Sequence, residues 1–217
     1  MALTVLLTGF GPFPGAPLNP TGPLAQTLAR IRRPALSGVR LVPHVFPTSY
    51  VAVDRDLPRL LAETKPDALL MFGLSSRASC LRVEMRARNA LSAMRDANGE
   101  CARATCIVSG GPGALAFGNP ALRLSLAATR RGMRAAISRD AGRYLCNYLS
   151  WRAIEAAARP GGPKLAAFVH VPRLRPGPWR RHARGECWRM ADLLRGAEAI
   201  LLAAVAETRR RAHMTKA

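Results

Sequence analysis

The feature that most constrains the fold of this chain is a repeated alternation of short apolar runs with amphipathic stretches of helical length. This alternation predicts an α/β sheet with helices on both of its faces. The length of 217 residues suits one domain, and neither a linker nor an internal repeat divides it. We therefore expect 1–217 to be a single domain. The predicted strands of this kind are Leu3–Thr8, Val39–Phe46, Ala68–Phe72, Met133–Ser138 and Leu165–Val171.

Capping residues and helix breakers mark the predicted ends of the helices. Thr21 is expected to cap a helix that reaches about Arg32, and Asn119-Pro120 is expected to start another. A continuous alternating strand is predicted over 81–87, because apolar and polar residues alternate there, and 94–116 is predicted to be loop. The remaining helices are predicted at 50–63, from about 142–144 to 158, and from the end of a loop at 172–186 to about 210. The segment 209–217 is predicted to be a frayed basic tail.

The cysteine content and the lack of targeting signals indicate the compartment. No apolar run approaches the roughly 18 residues that a membrane-spanning helix needs, and the first residues lack the features of a signal peptide. The five cysteines form neither a CxxC pair nor a zinc spacing, and an odd number argues against a disulfide framework. We expect a cytoplasmic protein in a reducing environment, without a membrane anchor.

The net charge of +20 is the strongest compositional signal, and a basic domain is typical of nucleic-acid binding. Only three of the 33 basic residues are lysines, so 30 are arginines, and they are spread along the chain. This skew, together with abundant alanine, is typical of a GC-rich coding bias. A loop at 173–184 combines arginines with Trp179, which resembles a nucleic-acid surface but also fits a solvated loop with one packed indole. We expect no specific nucleic-acid partner.

Three residues that could take part in catalysis lie where an α/β sheet places an active site. Cys146 falls in the first turns of a predicted helix, where backbone amides and the helix dipole favour a thiolate. His170 lies at the end of an apolar strand, and active sites of open α/β sheets form at the carboxyl ends of strands. Glu84 lies in an arginine-rich strand. Alone, each has a structural explanation: a buried cysteine, a satisfied histidine and a salt-bridge partner. Together they supply a nucleophile, a base and an orienting group.

Several motifs around these residues resemble one family of enzymes, the pyroglutamyl-peptidase I family of cysteine peptidases. The resemblance runs from Val5 to Pro172, in order and with compatible spacing. The matching segments are LLTGFGPFPG at 6–15, NPT at 19–21, Gly73 to Asn89 around Glu84, Asn98-Gly99, GGP at 110–112, AGRYLCN at 141–147 and FVHVP at 168–172.

The resemblance implies a three-layer αβα sandwich with a mostly parallel central sheet. It also implies hydrolysis of the bond after an amino-terminal pyroglutamyl residue, with no metal or other cofactor, by a homodimer or homotetramer. Cys146 would be the nucleophile, His170 the base and Glu84 the group that orients the imidazole. The residues implied in substrate binding are Phe10, Phe13, Asn19, Tyr144 and Leu145.

Four departures from the family pattern bear on efficiency and substrate preference. Pro14 replaces a usual glycine, Leu74 a usual glutamine and His44 a small hydroxyl residue, and the loop that begins at Arg173 is unusually basic. They leave open an alternative, which is a catalytically weak relative whose basic loops bind nucleic acid or an acidic partner. The intact triad favours the peptidase.

Overall fold

A six-stranded sheet forms the central layer of the protein in the computed structural model, which describes residues 2–118, 120–174 and 188–214. The described strands are β1 Leu3–Phe10, β2 Val39–Phe46, β3 Ala68–Leu74, β4 Leu81–Glu84, β5 Arg86–Arg88, β6 Ala114–Ala116, β7 Ala135–Ser138 and β8 Leu165–Val171. The order in the central sheet is β2-β1-β3-β8-β4-β7. Its neighbouring strands are parallel except for β4 and β8, which are antiparallel. The predicted mostly parallel sheet is confirmed.

Helices cover both faces of the sheet, and each face has its own hydrophobic core. The described α-helices are α1 Thr21–Leu28, α2 Tyr50–Thr64, α3 Ala121–Arg130, α4 Leu145–Ala158 and α5 Met190–Met214. Apolar residues of α1, α3 and α5 form one core with alternate residues of the strands, and residues of α2 and α4 form the other. The three-layer αβα architecture is therefore confirmed.

The central strands are buried on both faces, which explains why they are continuous apolar runs in the sequence. Every residue of β8 is buried, and its bounds are those predicted. Successive residues face opposite cores: Val169 lies in the core under α1, α3 and α5, whereas Phe168 lies in the core under α2 and α4. β3 pairs with β8 so that Gly73 is opposite His170.

The predicted strand over 81–87 is divided in the structure. β4 ends at Glu84 in the central sheet, whereas β5 pairs with β6 in a separate two-stranded antiparallel sheet. The chain changes sheets at Met85, whose N–H donates to Ser138 O (2.7 Å) and whose carbonyl accepts from Phe117 N–H (3.0 Å). The prediction of one continuous strand was wrong because these long-range bonds divide it. The strand β6 also lies within the segment predicted to be loop.

Thr21 does not cap α1 as predicted. It is the first helical residue, and its hydroxyl accepts from Phe10 N–H at 3.0 Å instead of satisfying a first-turn amide. The helix also ends at Leu28, before the predicted Arg32. The beginning of α1 packs so closely on β1 that a Cβ at Gly9 would be 2.1 Å from Thr21 O, so Gly9 is required by this contact.

The carboxyl-terminal helix is longer than predicted. Residues 209–214 continue α5, so the prediction of a frayed tail is wrong for them. The guanidinium of Arg209 donates to Ala35 O and Ser37 O and so anchors the helix end, while that of Arg210 pairs with Glu207 within the helix. The predicted cap Asn119, Trp179 and residues 215–217 lie outside the described residues.

Candidate active site

The three predicted catalytic residues come from three different elements that meet at one place in the sheet. His170 is the sixth residue of β8, Glu84 ends β4, and Cys146 is the second residue of α4. β4 lies beside β8, with Arg82 directly opposite His170 in the antiparallel register. The sheet therefore brings the histidine and the carboxylate together from positions 86 residues apart in the chain.

The imidazole of His170 and the carboxylate of Glu84 form a buried hydrogen-bonded pair. Nδ1 of His170 lies 2.8 Å from Oε1 of Glu84. The exposed fraction of the side chain is 8% for His170 and 0% for Glu84. Among the described residues, Oε2 of Glu84 has no hydrogen-bond partner, so the imidazole is the polar contact of this carboxylate. Such a pair fixes the orientation of the ring and leaves Nε2 available for the thiol.

The electrostatic setting of His170 favours its protonated form. Burial lowers the pKa of the imidazole, but the charge and hydrogen bond of Cys146 and the hydrogen bond and charge of Glu84 outweigh burial and raise this pKa to about 9. The two partners stabilise an imidazolium because each contributes negative charge. His170 is therefore protonated at neutral pH in this setting.

Cys146 lies at the amino-terminal end of α4, where backbone N–H groups lack helical acceptors. Tyr144 is the N-cap residue with an extended backbone, and Leu145 begins the helix. The amides of this first turn can stabilise a thiolate and the oxyanion that forms when a thiol attacks a carbonyl. The prediction that α4 starts as early as Gly142 is corrected by the structure, since the chain there is a turn with a left-handed Gly142 (φ 81°).

A glycine on the neighbouring strand makes room for the thiol. A Cβ at Gly73 would be 2.7 Å from Sγ of Cys146 and 2.6 Å from Cζ of Phe168. The Phe168 ring in turn lies against the imidazole of His170, with centroids 5.0 Å apart. The position of the Cys146 thiol thus depends on the absence of a side chain at residue 73. In the sequence Gly73 was visible only as part of a motif.

An aromatic wall adjoins the cysteine. The rings of Phe13 and Tyr144 lie 6.2 Å apart, and Tyr144 also contacts Tyr50 edge-on at 6.1 Å. Phe10 and Leu145 were also predicted to bind substrate, but both are almost fully buried in the core under α2 and α4. Their roles in binding remain predictions, whereas Phe13 and Tyr144 are partly exposed.

Asn19 secures the first loop. Its Nδ2 donates to Gly11 O at 2.9 Å, and its Oδ1 accepts from the N–H and hydroxyl of Thr21. Thr48 donates to the same carbonyl of Gly11, so the loop that carries Phe13 is tied to both α1 and the start of α2. Asn19 therefore holds the wall in place, and its contact with a substrate remains a prediction.

Sequence reasoning missed two buried polar residues that hold the surrounding loops. Oδ2 of Asp96 accepts from Tyr50 N–H, and its Oδ1 accepts from Asn98 N–H and Glu100 N–H. This fixes the loop whose Arg95 carbonyl accepts from the hydroxyl of Tyr144 at 2.9 Å.

The second missed residue is Asn147, next to the cysteine. Its side chain bonds to the backbone of Arg88 and Ala90, which joins α4 to β5. In the sequence, Asp96 and Asn147 could be noticed only near the motifs Asn98-Gly99 and Cys146-Asn147. The spacing of these motifs does not indicate a role for either side chain.

Three of the four departures from the family pattern have clear positions in the structure. Leu74 packs into the core under α1, α3 and α5, away from the aromatic wall. Pro14 and Gly15 form the tip of a tight turn that Phe13 and Ala16 close with two backbone hydrogen bonds.

His44, the third of these, lies on the edge strand, 3.6 Å from Asp56. Burial, the largest effect, lowers its pKa, although Asp56 opposes this shift. The His44 position is thus occupied by a neutral ring paired with a carboxylate.

One cleft in the described part of the chain lies away from the candidate site. A cleft of about 560 Å³ between the end of α1 and β2 is lined by apolar residues and arginines, and it contains none of the triad. Within the described ranges, no three His, Cys, Asp or Glu side chains could together hold a metal ion. No helix in the described part of the chain is long and apolar enough to cross a membrane.

An α/β fold that brings a cysteine at a helix start to a histidine–carboxylate pair defines the class of cysteine hydrolases. The particular family follows from comparison: the pyroglutamyl peptidase family matches residues 3–186, and the chain belongs to this family.

Relatives with this fold have been named and solved. A pyrrolidone-carboxylate peptidase of Pyrococcus furiosus is 34% identical over 171 residues, which cover 78% of this chain and 81% of the relative. One from Thermococcus onnurineus is 32% identical over 171 residues, covering 78% and 84%. The solved pyrrolidone carboxyl peptidase from Thermococcus litoralis superposes with a TM-score of 0.85 at 26% identity and covers 96% of both chains.

Proposed function

We propose that this protein is a cysteine exopeptidase that hydrolyses the amide bond after an amino-terminal pyroglutamyl residue of peptides. The single observation that carries the proposal is the buried 2.8 Å contact of His170 with Glu84 in a chain of this family, with Cys146 near enough to raise the pKa of the same imidazole. Cys146 is the nucleophile, His170 the general acid and base, and Glu84 the residue that orients the imidazole.

The reaction proceeds in two steps. Sγ of Cys146 attacks the carbonyl carbon that follows the pyroglutamyl ring, and the oxyanion forms next to the free amides at the start of α4. The imidazolium of His170 gives its Nε2 proton to the departing amine, so the C–N bond breaks and a thioester remains. A water molecule then loses a proton to His170 and attacks the thioester, which releases pyroglutamate and restores the thiol.

Substrate selection follows from the apolar character of the aromatic wall. Pyroglutamate is a neutral lactam, and the rings of Phe13 and Tyr144 bury its apolar surface without a counter-charge. An amino-terminal proline would instead bring a protonated amine to this wall and would lack the ring carbonyl. A buried polar group that loses its hydrogen bond costs about 1–3 kcal/mol, which disfavours prolyl substrates.

The test is a comparison of pyroglutamyl and prolyl amides of the same fluorogenic amine. We expect hydrolysis of the pyroglutamyl amide and a kcat/KM lower by about 100-fold or more for the prolyl amide, since two or more such losses add. Equal rates on both substrates would contradict the proposal. A protein that hydrolyses neither amide, although folded by circular dichroism, would favour the alternative of a catalytically weak relative.

Three further properties form part of the proposal. We infer that the chain acts as one catalytic domain, because the triad draws on two strands of a single sheet, β4 and β8, and on the helix α4, which packs in the core on one face of that sheet. A cytoplasmic location accords with a reduced catalytic thiol, and a homodimer or homotetramer accords with the family resemblance. Light scattering coupled to gel filtration measures the assembly, and a monomer at micromolar concentration would contradict that part.

A further inference from the structure

Four arginines lie in separate turns around the candidate active site. Arg77 and Arg173 follow β3 and β8, and because Leu74 pairs with Val171, both turns leave the same edge of the sheet. Arg143 precedes the start of the α4 helix. Arg95 lies in a loop, and its backbone carbonyl accepts a hydrogen bond from the hydroxyl of Tyr144. All four residues are exposed.

The charges of these arginines are not cancelled by carboxylates. Arg173 donates to the carbonyl of Gly15 at 3.1 Å, and Arg95 donates to the carbonyl of Gly99 at 2.7 Å, so both bind neutral acceptors. Among the described residues, Arg77 and Arg143 have neither a hydrogen bond nor an ion pair. Each of the four guanidinium groups therefore retains a full positive charge at the surface.

The described carboxylates of the same region are largely engaged. Asp54, near the aromatic wall, accepts from the hydroxyl of Tyr148 and lies 3.7 Å from the guanidinium of Arg152. Glu84 is buried against His170, and Asp96 is buried and accepts three backbone N–H groups. Asp140 lies 3.5 Å from the guanidinium of Arg88. Glu100 is exposed, and its backbone closes the Asp96 turn through hydrogen bonds to Asp96. The surface around the site is therefore strongly positive.

The direction of the reaction places the leaving peptide near these positive charges. The ring of the substrate faces Phe13 and Tyr144, whereas the departing amine receives its proton from His170. The residues that follow the ring must therefore lie on the His170 side of the nucleophile, where the turns of Arg77 and Arg173 leave the sheet. Coulomb attraction between exposed groups acts over roughly one Debye length, about 10 Å at 0.1 M salt.

We propose that the enzyme selects pyroglutamyl peptides with acidic side chains directly after the ring, an inference that rests on the proposed function. The excess of arginines attracts such peptides during encounter and stabilises the bound carboxylate. A guanidinium binds a carboxylate through two parallel N–H donors, which makes arginine well suited to this role. A lysine at the same peptide position is repelled.

The experiment measures kcat/KM for three matched peptides, pyroglutamyl-Glu-Ala, pyroglutamyl-Gln-Ala and pyroglutamyl-Lys-Ala, with amidated carboxyl ends. We expect the order Glu, Gln, Lys, with a Glu-to-Lys ratio of about 10 or more at low salt. The ratio should fall towards one at about 0.5 M salt, because salt screens exposed charges. Hydrolysis of the neutral Gln peptide tests the proposed function separately.

Two double variants test whether the preference for Glu over Lys arises from the arginines near the site. The double variant Arg77→Gln/Arg143→Gln should lower the Glu-to-Lys ratio several-fold. The matched control Arg131→Gln/Arg195→Gln removes two exposed arginines on the α3 and α5 side of the protein and should leave the ratio unchanged. Equal kcat/KM for the three peptides, or an equal drop of the ratio in the control variant, would overturn the inference while the peptidase activity stands. Failure to hydrolyse all three peptides would overturn the proposed function itself.

Discussion

Substitution of Gly73 by alanine should displace the thiol of Cys146, the proposed nucleophile. The added methyl carbon would lie 2.7 Å from Sγ of Cys146 and 2.6 and 2.9 Å from two ring carbons of Phe168, whereas ordinary contacts are 3.4–4 Å. Backbone pairing fixes Gly73 itself, since it lies opposite His170 in the ladder between β3 and β8. The thiol and the phenyl ring must therefore move.

The size of the effect follows from these distances. Relief of the contact requires a shift of about 1 Å at Sγ, and a misplacement of this size in a reacting group costs about 100-fold in rate. Movement of the Phe168 ring also disturbs the imidazole that it contacts. The overpacking should destabilise the fold by about 1–3 kcal/mol, which a domain with about 5–15 kcal/mol of stability survives. We expect a folded protein with a kcat lower by about 100-fold.

The assay compares kcat and KM on a pyroglutamyl amide, with thermal unfolding measured by circular dichroism. Gly113→Ala is the matched control, because nothing lies within 4 Å of its added Cβ and its backbone is not left-handed. The control should keep wild-type kcat. A folded Gly73→Ala protein with wild-type kcat would refute the position assigned to the thiol.

Three more predictions follow from the site and from the charge. Glu84→Gln should lower kcat about 10- to 100-fold through loss of a buried charged hydrogen bond. In the wild type, kcat should fall on the alkaline side near pH 9, where His170 loses its proton. In Glu84→Gln this fall should occur at lower pH. An unchanged pH profile of kcat would refute the pairing of Glu84 with His170. Cys146 should react with iodoacetamide faster than the exposed Cys101, as peptide mass mapping can test, and the reverse order would count against the thiolate. Binding to duplex DNA should be weak and should disappear with salt, and nanomolar, sequence-selective binding at physiological salt would contradict this.

The contribution of His170 to the stability of the folded protein depends on pH in a defined direction. The folded-state pKa of His170, about 9, is above its ordinary value of 6.5, so the protonated ring stabilises the folded protein. This contribution is fully present below pH 6.5 and is lost as the pH rises through about 9. Activity and part of the stability should therefore decline together on the alkaline side.

The core strands could be predicted from the sequence because burial on both faces leaves an unambiguous record. Leu165–Val171 is buried throughout and has the predicted bounds. Val39–Phe46 also has the predicted bounds, but it is a partly exposed edge strand, and its end was marked by Pro47. The positions of Cys146 and His170 followed from the same logic, because a helix start and a strand end are visible locally. The juxtaposition of Glu84 with His170 required the family resemblance, since 86 residues separate them.

Features that depend on long-range contacts could not be predicted. The alternation over 81–87 is continuous, and the break at Met85 arises from hydrogen bonds to Ser138 and Phe117. Arginines at the carboxyl end resembled a solvated tail, but Arg209 finds carbonyl acceptors more than 170 residues away in the chain. The role of Asp96 likewise depends on Tyr50 N–H, 46 residues distant. Local patterns carry no information on such partners.

The most direct test of the account is the activity of the Cys146→Ala variant on a pyroglutamyl amide. Cys101→Ala serves as its control, because this exposed cysteine bonds only weakly, to Ala93 O at 3.4 Å. We predict that the wild type and Cys101→Ala release the amine at equal rates, and that Cys146→Ala has no detectable turnover although its circular dichroism is native. Turnover by a folded Cys146→Ala protein would contradict the account.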